Sequence, residues 1–301
     1  MGYLYSCVLF CIRTHLAHKL TQMKKIKMIT SVIAAIALLV SCQNEELEET
    51  TTATTGNTEN LEYIAQKFRD LGVNPAGGLA PFVYQGDQGW LSDDIFLSED
   101  AIANASALPK QNDELGAKLF RTTNLVTVPV NQNRQRTINV LGTSSLTPNM
   151  ENALITAVNN YNDLNLRLNF ELSFGDTTIG QQIIVESETL PNGGGIAGFP
   201  SNGNPFRNIT LDPSLDDLNE GTLAHVVTHE IGHCIGLRHS DFRIREGCPN
   251  SVDEGIGSIG AINIPGTDNT GTELNSIMRA CFGNEPGTFK GDDALALQTL
   301  Y

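Results

Sequence analysis

The stretch HVVTHEIGHCIGLRHS (residues 225–240) decides the fold, because it holds four of the six histidines in the chain. His229 and His233 are one helical turn apart, so a helix places both imidazoles on one face, within reach of one metal ion. Gly236 follows in the next turn, and a glycine there ends a helix by adopting the left-handed conformation. The reversed chain then brings His239 back towards the same ion. The stretch therefore predicts a helix that ends in a three-histidine metal site.

The neighbouring residues indicate what this metal does. Three histidines and a water molecule complete the tetrahedral shell of one catalytic zinc ion, and the water occupies an exchangeable position. Glu230 is displaced around the helix from the two histidines, so its carboxylate faces that position and can act as a general base. The alternative is a structural zinc site, which usually has a fourth protein ligand and often uses cysteine. His225 is interpreted as a histidine of the helix surface or of the layer behind the ligands.

The charge of the chain limits its partners. Its 301 residues include 19 basic and 34 acidic side chains, for a net charge of −15. Such an acidic protein repels phosphate backbones, which excludes a nucleic-acid partner. Calcium is a second candidate cofactor, but the spacing of the loop acids matches no defined calcium site, and solvated loops explain them better. These acids are Asp212, Asp216, Asp217, Asp253, Glu254 and Asp268.

The first 41 residues predict export. A basic stretch over residues 23–27 precedes an apolar run over residues 28–40, as in a signal peptide. The following LVSC (39–42) resembles a bacterial lipobox, which implies cleavage before Cys42 and a lipid on its side chain. We therefore expect a lipoprotein of the cell envelope, anchored in the outer membrane and either surface-exposed or released. Residues 1–22 precede a complete signal peptide and are interpreted as a wrongly assigned translation start.

Composition divides the remaining chain into three parts. Residues 42–58 are acidic and rich in threonine, which predicts a flexible tether after the lipidated cysteine. Residues 59–118 have a helical period at 61–71 and then a strand and a helix, and are interpreted as a small N-terminal or pro-like segment. Residues 119–301 combine strand patterns with a helix that begins at Thr147–Pro148, and predict a mixed α/β catalytic domain.

Three cysteines lie beyond Cys42. An exported protein occupies a setting that permits disulfides. At most one intramolecular bridge can form among the three, and the sequence does not determine which pair forms it. They are Cys234, Cys248 and Cys281.

HEIGHCIGLRHS (229–240) matches the metzincin zinc-peptidase signature, and its HEIGH core resembles the dual-action HEIGH metallopeptidases of exported bacterial proteins. The resemblance covers roughly residues 120–301, and GDDALALQTLY (291–301) is similar to the last helix of matrixin-type peptidases. It implies a zincin domain with a twisted mixed β-sheet, an edge strand, an active-site helix, a Met-turn at Met278 and a C-terminal helix. Two features depart from the pattern. Ala280 stands where astacins and serralysins have a switching tyrosine, and the second zinc site of matrixins is missing.

The resemblance also implies a zinc endopeptidase that hydrolyses polypeptides. In metzincins the substrate lies extended beside the edge strand, where glycines permit a close approach of the backbone. A flexible glycine loop without a role in substrate binding is the alternative. The candidate edge-strand residues are Gly195, Ile196, Ala197 and Gly198.

WLSDDIFLSED (90–100) resembles the pro-segments of astacin-like enzymes, in which an aspartate covers the zinc. This resemblance makes Asp94 the candidate latency residue. An ordinary acidic turn on the surface is the alternative, because pairs of aspartates are common there.

Two further functions stay open beside the lipid-anchored peptidase. The first is a catalytically silent surface binding or adhesion lipoprotein, against which the intact Glu230 argues. The second is a zinc amidase that acts on cell-wall peptides, whereas the glycine-rich edge strand favours an extended polypeptide as substrate.

Overall fold

The computed structural model describes residues 52–75, 78–84, 86–104, 119–131, 134–245, 248, 253–267, 276–281 and 283–301. The predicted signal peptide and Cys42 lie outside these residues. The elements in chain order are α1 (Thr52–Leu71), β1 (Ala80–Tyr84), β2 (Asp87–Ser92), β3 (Ile95–Ser98), α2 (Glu99–Ala103), β4 (Phe120–Arg121), β5 (Arg136–Gly142), α3 (Pro148–Asp163), β6 (Leu168–Phe174), β7 (Ile183–Ser187), β8 (Gly195–Ile196), β9 (Asn208–Leu211), α4 (Glu220–Ile235), β10 (Ile262–Asn263) and α5 (Gly291–Leu300).

The helix α1 begins earlier than the sequence predicts. Its first residue is Thr52, so it includes residues 52–58, which composition assigns to the tether 42–58. Ile64 and Phe68 anchor the amphipathic part of α1 in an apolar cluster. Once a helix is nucleated in this way, each added turn gains backbone hydrogen bonds at little further entropic cost, so the helix extends into the polar residues before it.

The first sheet is antiparallel, in the order β1-β2-β3. A two-residue turn, Asp93–Asp94, joins β2 to β3, and Asp93 has a φ of 51°, which aspartate tolerates better than most residues. Ile95 and Leu97 of β3 share an apolar cluster with Phe199 and Ile259 from later in the chain. The hairpin β2–β3 therefore packs on the part of the molecule that contains the histidines.

The second sheet has five strands in the order β6-β5-β7-β9-β8. The first four are parallel, and β8 at the edge runs antiparallel to β9. Parallel strands need cover on both faces, and the residues of β9 and the first three of β7 are accordingly buried. The predicted mixed α/β architecture with an edge strand is confirmed.

The helices α3 and α4 are packed together through the main core. Thr147 caps α3 by accepting a 3.2 Å hydrogen bond from the Met150 amide, and Pro148 occupies the first turn, as the sequence predicts. Inside the core, Tyr161 Oη donates to the Thr228 carbonyl at 2.9 Å. Because Thr228 directly precedes His229, this contact helps to fix the helix that carries the histidines.

Residues Thr55–Tyr301 form one compact unit, so the described part of segment 59–118 packs with the remainder instead of standing apart from it. The other unit, Met1–Thr54, lies almost entirely outside the described residues. Cys248 and Cys281 form the disulfide, with a Cα–Cα distance of 5.3 Å, and Cys234 is a buried free thiol. In the described part of the chain, the helices are too short or too polar to cross a bilayer.

Candidate active site

The helix α4 ends at the glycine turn that the sequence predicts. Asn219 caps its start by accepting a 3.0 Å hydrogen bond from the Thr222 amide. At its other end Gly236 has a φ of 110°, and the Leu237 amide donates back to the Gly232 carbonyl at 2.9 Å. This turn satisfies the last carbonyls of the helix and reverses the chain. It places His239 beside the two histidines of α4.

The three histidines direct their Nε2 atoms to one point. His239 Nε2 lies 3.2 Å from His233 Nε2 and 3.3 Å from His229 Nε2. All three side chains are buried, with the ring of Phe199 packed edge-on against His233. A buried convergence of imidazole nitrogens is the geometry that a metal ion requires.

The opposite ring nitrogens fix the protonation of the rings. His229 Nδ1 lies 2.8 Å from the Ile277 carbonyl, and His233 Nδ1 lies 2.9 Å from the Leu237 carbonyl. A carbonyl oxygen only accepts, so both rings carry their proton on Nδ1 and turn an Nε2 lone pair to the centre. These two lone pairs lie within 4.8 Å of each other and repel each other unless a cation lies between them, so the site fits a metal.

Asp94 supplies a fourth donor. Its Oδ2 lies 2.9 Å from His239 Nε2, 3.4 Å from His229 Nε2 and 3.9 Å from His233 Nε2. The four donor atoms all lie within 4.8 Å of one another. Three imidazole nitrogens and one carboxylate oxygen match the donors of four-coordinate zinc. Asp94 does belong to a turn, but its carboxylate points at the histidines instead of at solvent.

The electrostatics of the site favour a positive charge at its centre. Burial alone raises the pKa of Asp94, but the charge of His239, together with the contacts to the three imidazoles, outweighs it and holds this pKa well below its usual range. Burial alone lowers the pKa of His239, whereas Asp94 and Glu254 raise it well above its usual range. Two carboxylates thus stabilise one positive charge between the rings, and a divalent cation meets the same requirement.

Glu230 lies beside the four donors. It is 2% exposed, and a Cβ built on Gly195 of β8 would lie 2.8 Å from its Oε1. Only glycine lets the edge strand come this close to the carboxylate. Burial, and then the charge of Asp94, raises the pKa of Glu230 well above its usual range. A carboxyl group with a raised pKa is suited to accept and return a proton near neutral pH.

Met278 lies in a turn beneath α4. A Cβ on Gly232 would lie 2.5 Å from Met278 Sδ, so the methionine fits because position 232 has no side chain. The Met278 carbonyl accepts a 2.7 Å hydrogen bond from the Ser240 amide, next to His239. The preceding residue, Ile277, holds His229. This turn therefore supports two of the three histidines from one short piece of backbone.

The hairpin that carries Asp94 also pairs with the edge strand. The Ala197 amide donates to the Asp94 carbonyl at 3.0 Å, and the Phe96 amide donates to the Ala197 carbonyl at 3.0 Å. Ile95 and Ala197 form a parallel bridge. The predicted substrate residues 195–198 are consequently buried beneath this chain's own N-terminal segment.

Three charged residues behind His239 have roles that the sequence did not predict. Glu254 Oε1 lies 2.5 Å from His239 Nδ1 and accepts from Arg245 Nε at 2.8 Å, and its Oε2 accepts from Arg238 Nη2 at 3.1 Å. Glu254 is 3% exposed, which corrects its assignment to a solvated acidic loop. The cations around it compensate its buried charge. No motif or periodicity marks these positions, because the fold alone brings them together.

Where the structure describes them, the other acids considered for calcium form no group that could hold a metal ion. Among the described residues, the cluster of Asp94 with the three histidines is the only group suited to a metal ion. Asp212 instead accepts hydrogen bonds from the Leu190 and Ser214 amides and fastens the loop before β8. Asp268 lies outside the described residues.

One family model and several solved structures match the chain. The sequence model of the dual-action HEIGH metallo-peptidase family matches residues 91–301, a range that includes both the histidine site and the Asp93–Asp94 turn. No curated protein matches the chain. Among solved structures, myroilysin is 14% identical and covers 62% of this chain and 92% of its own, with a TM-score of 0.37. High choriolytic enzyme 1, a hatching-enzyme zinc protease of the medaka fish Oryzias latipes, is also 14% identical and covers 58% of this chain and 93% of its own, with a TM-score of 0.36.

Proposed function

Because the chain belongs to the dual-action HEIGH metallo-peptidase family, we propose that it is an exported zinc endopeptidase that is made in a latent form. One observation carries the proposal. Three buried Nε2 atoms converge on a carboxylate from the chain's own N-terminal hairpin, and the Nε2 of His239 lies 3.2 and 3.3 Å from the other two. Polypeptides are the substrates, and the reaction is hydrolysis of the peptide bond.

Four residues perform the chemistry in this proposal. His229, His233 and His239 hold the zinc ion, which when bound supplies a Lewis acid that acidifies water and polarises the scissile carbonyl. Glu230 takes a proton at its carboxylate from the attacking water and later gives it to the leaving amine. The burial that raises the pKa of Glu230 favours the protonated form that this second step needs.

The edge strand β8 aligns the substrate. Ala197 offers an amide and a carbonyl to an extended peptide, which adds to the sheet by backbone hydrogen bonds. Gly195 keeps that peptide close to Glu230, because its missing side chain leaves room beside Oε1. The substrate thus lies between the strand that aligns it and the carboxylate that moves the proton.

The hairpin accounts for latency, because it occupies both the position of the attacking water and the position of the substrate backbone. Asp94 lies where the attacking water must enter, 2.9 Å from His239 Nε2. The backbone of β3 takes the amide and the carbonyl of Ala197. The hairpin is not itself a substrate, since it directs a carboxylate and not a peptide carbonyl at the histidines. Opening or cleavage of the hairpin activates the enzyme.

The test uses the full-length, zinc-loaded protein with a denatured protein as substrate. We expect a low rate for the unmodified chain and a rate at least about 10-fold higher for Asp94→Ala, equivalent to about 1.4 kcal/mol of lost occlusion. Asp100→Asn is the matched control, because Asp100 is an exposed acid of the same segment, and it should behave as the unmodified chain. Adding Glu230→Gln to Asp94→Ala should abolish cleavage and leave the zinc content at about one ion per chain.

Two results would contradict the proposal at different points. An Asp94→Ala protein as inactive as the unmodified chain, together with a processed chain that cuts, refutes latency through Asp94 and leaves the peptidase intact. A processed chain that binds zinc and cuts no polypeptide refutes the peptidase. A silent binding lipoprotein, or an amidase for cell-wall peptides, then replaces it.

The proposed location is the cell envelope, with a lipid on Cys42 anchoring the chain in the outer membrane, from which it is surface-exposed or released. The basic residues 23–27, the apolar run 28–40 and the lipobox-like LVSC (39–42) support this location. Cells grown with a clickable fatty acid should label the protein, and Cys42→Ser should lose both the label and membrane sedimentation. Retention of both by Cys42→Ser refutes the anchor.

A further inference from the structure

A cavity of about 160 Å³ lies directly beside the metal site. One wall is His239, and another is Ala280 with the disulfide between Cys248 and Cys281. Arg245 lines the cavity as well, and its side chain is 5% exposed. The carboxylate of Asp93, the neighbour of Asp94 in the hairpin turn, enters this cavity and forms an ion pair with Arg245 Nη1.

The contacts of Arg245 differ from those of the other buried arginine nearby. Both terminal nitrogens of Arg238 donate hydrogen bonds within the protein. Nη1 donates to the Gly260 carbonyl, and Nη2 donates to the Gly72 carbonyl and to Glu254. Arg245 is fastened to Glu254 through Nε alone, at 2.8 Å. Among the described residues, its Nη1 has Asp93 as partner and its Nη2 has none. The forked end of Arg245 therefore faces the cavity.

Opening of the hairpin takes Asp93 away from this guanidinium. Arg245 then keeps one bond to Glu254 and presents two terminal nitrogens without a carboxylate partner to the cavity. A carboxylate that accepts from both nitrogens forms a bidentate, charge-assisted pair with them. Burial alone lowers the pKa of Arg245, but Glu254, which stays in place, raises it. A guanidinium also keeps its proton in proteins, so Arg245 stays charged after Asp93 has left.

We propose that Arg245 determines specificity by selecting substrates with an acidic side chain next to the scissile bond. This inference rests on the proposed peptidase function. Asp93 marks the binding position, because it adjoins the residue whose carboxylate lies at the histidines. A cavity of this size, closed on one side by the disulfide, holds an aspartate or glutamate side chain. The remaining surface carries a net negative charge and does not attract acidic peptides by itself, so the selection is local.

The first test measures kcat/KM on paired peptides. The zinc-loaded full chain carries an introduced protease site between residues 105 and 118 and is cleaved there before the assay. The peptides differ only by Asp or Asn, or by Glu or Gln, at the two positions that flank the scissile bond. A hairpin that stays bound lowers both rates by the same factor, so the ratio of the two kcat/KM values is unaffected by it.

We expect a preference of about 10- to 100-fold for the acidic peptide, as for a hydrogen bond to a charged group. Arg245→Gln should bring this ratio close to one, and Arg245→Lys should retain part of it, because it keeps the charge and loses the fork. Arg243→Gln, two residues earlier in the same loop, is the control and should leave the ratio unchanged. Equal rates on the acidic and amide peptides, or a ratio that Arg245→Gln does not change, overturn the proposal.

A second measurement separates this proposal from the peptidase function. A synthetic peptide of residues 87–98 is titrated into the cleaved chain by calorimetry. Replacing Asp93 by Asn in the peptide should weaken binding by about 10-fold or more in the unmodified chain. The same replacement should have no effect in Arg245→Gln. This result can be obtained even from a chain that cuts no peptide, and equal binding of the two peptides overturns the acidic pocket.

Discussion

Glu254 offers the sharpest test of how the site is held together, and the perturbation is Glu254→Gln. The carboxylate takes three bonds: His239 Nδ1 and Arg245 Nε on Oε1, and Arg238 Nη2 on Oε2. Glutamine has nearly the same shape, but one of its terminal atoms is an NH₂ group. Every one of the three partners is a donor, so whichever way the amide turns, at least one donor faces another donor.

The structure sets the size of two effects. Removing one partner from a buried ion pair costs about 3–5 kcal/mol, so the metal-free protein should lose about that much free energy of unfolding. His239 loses the charge that orients it, and loss of such a partner typically weakens metal binding by about 10–100-fold. That change equals about 1.4–2.8 kcal/mol in zinc affinity.

The assay is zinc affinity by competition with a chromogenic chelator, together with urea unfolding of the metal-free protein. Glu188→Gln is the control, because Glu188 is exposed and far along the chain from the histidines. A Glu254→Gln protein loses zinc affinity if Glu254 orients His239. A variant that unfolds more easily but has a zinc affinity within about twofold of that of the unmodified chain would therefore refute this role. Glu254 would then stabilise the loop without orienting His239.

Three further substitutions have expected outcomes. Gly232→Ala places a Cβ 2.5 Å from Met278 Sδ. This overpacking should lower the free energy of unfolding in urea by about 1–3 kcal/mol and weaken zinc binding. Unchanged stability and zinc affinity would mean that the methionine is not held there. Cys281→Ser removes the disulfide with Cys248, which spans 33 residues, and should lower the free energy of unfolding by about 4 kcal/mol. Thermal unfolding of the variant and of the unmodified chain measures this difference. Under reducing conditions the difference between the two proteins should vanish. Burial alone raises the pKa of Asp212, but hydrogen bonds from Leu190 and Ser214 outweigh it and hold this pKa below its usual value. The unfolded chain therefore binds more protons at this residue than the folded chain. The charged carboxylate thus stabilises the fold, and this stabilisation is lost as the pH falls through the folded pKa. Asp212→Asn should therefore flatten the fall in unfolding free energy between about pH 5 and pH 2, and an equally steep fall would contradict the assignment.

The parts of the fold that follow local rules were predictable from the sequence. Thr147 and Pro148 begin α3 in the way that a cap and a first-turn proline do in any helix. The arrangement of the histidines also follows from local rules. Helix periodicity places His229 and His233 on one face, and one left-handed residue, Gly236, suffices to bring His239 back to them.

The supports of the site depend on long-range contacts and escaped prediction. Glu254 reaches His239 across a loop whose sequence has no period. Asp94 reaches it across 145 residues, and only the resemblance to astacin-like pro-segments pointed to it. The disulfide pair followed in the same way from the fold, because three cysteines in one chain do not determine which two meet. A buried charge is recognised only when its partners are in place, and sequence patterns report burial of apolar side chains far better than burial of paired charges.

The N-terminal segment has two opposite relations to the site. Its hairpin blocks the histidines, whereas the end of α1 supports them from behind. The Gly72 carbonyl accepts from Arg238 Nη2 at 2.8 Å, and the carbonyls of Asp70 and Leu71 accept from the amides of Ser258 and Ile259 at 2.8 and 2.9 Å. These contacts hold the loop that carries Glu254, and therefore His239. Activation by loss of the whole segment would remove this support together with the block. A cut after β3 that frees the hairpin and leaves α1 in place removes only the block, so the architecture favours an active enzyme that keeps its first helix.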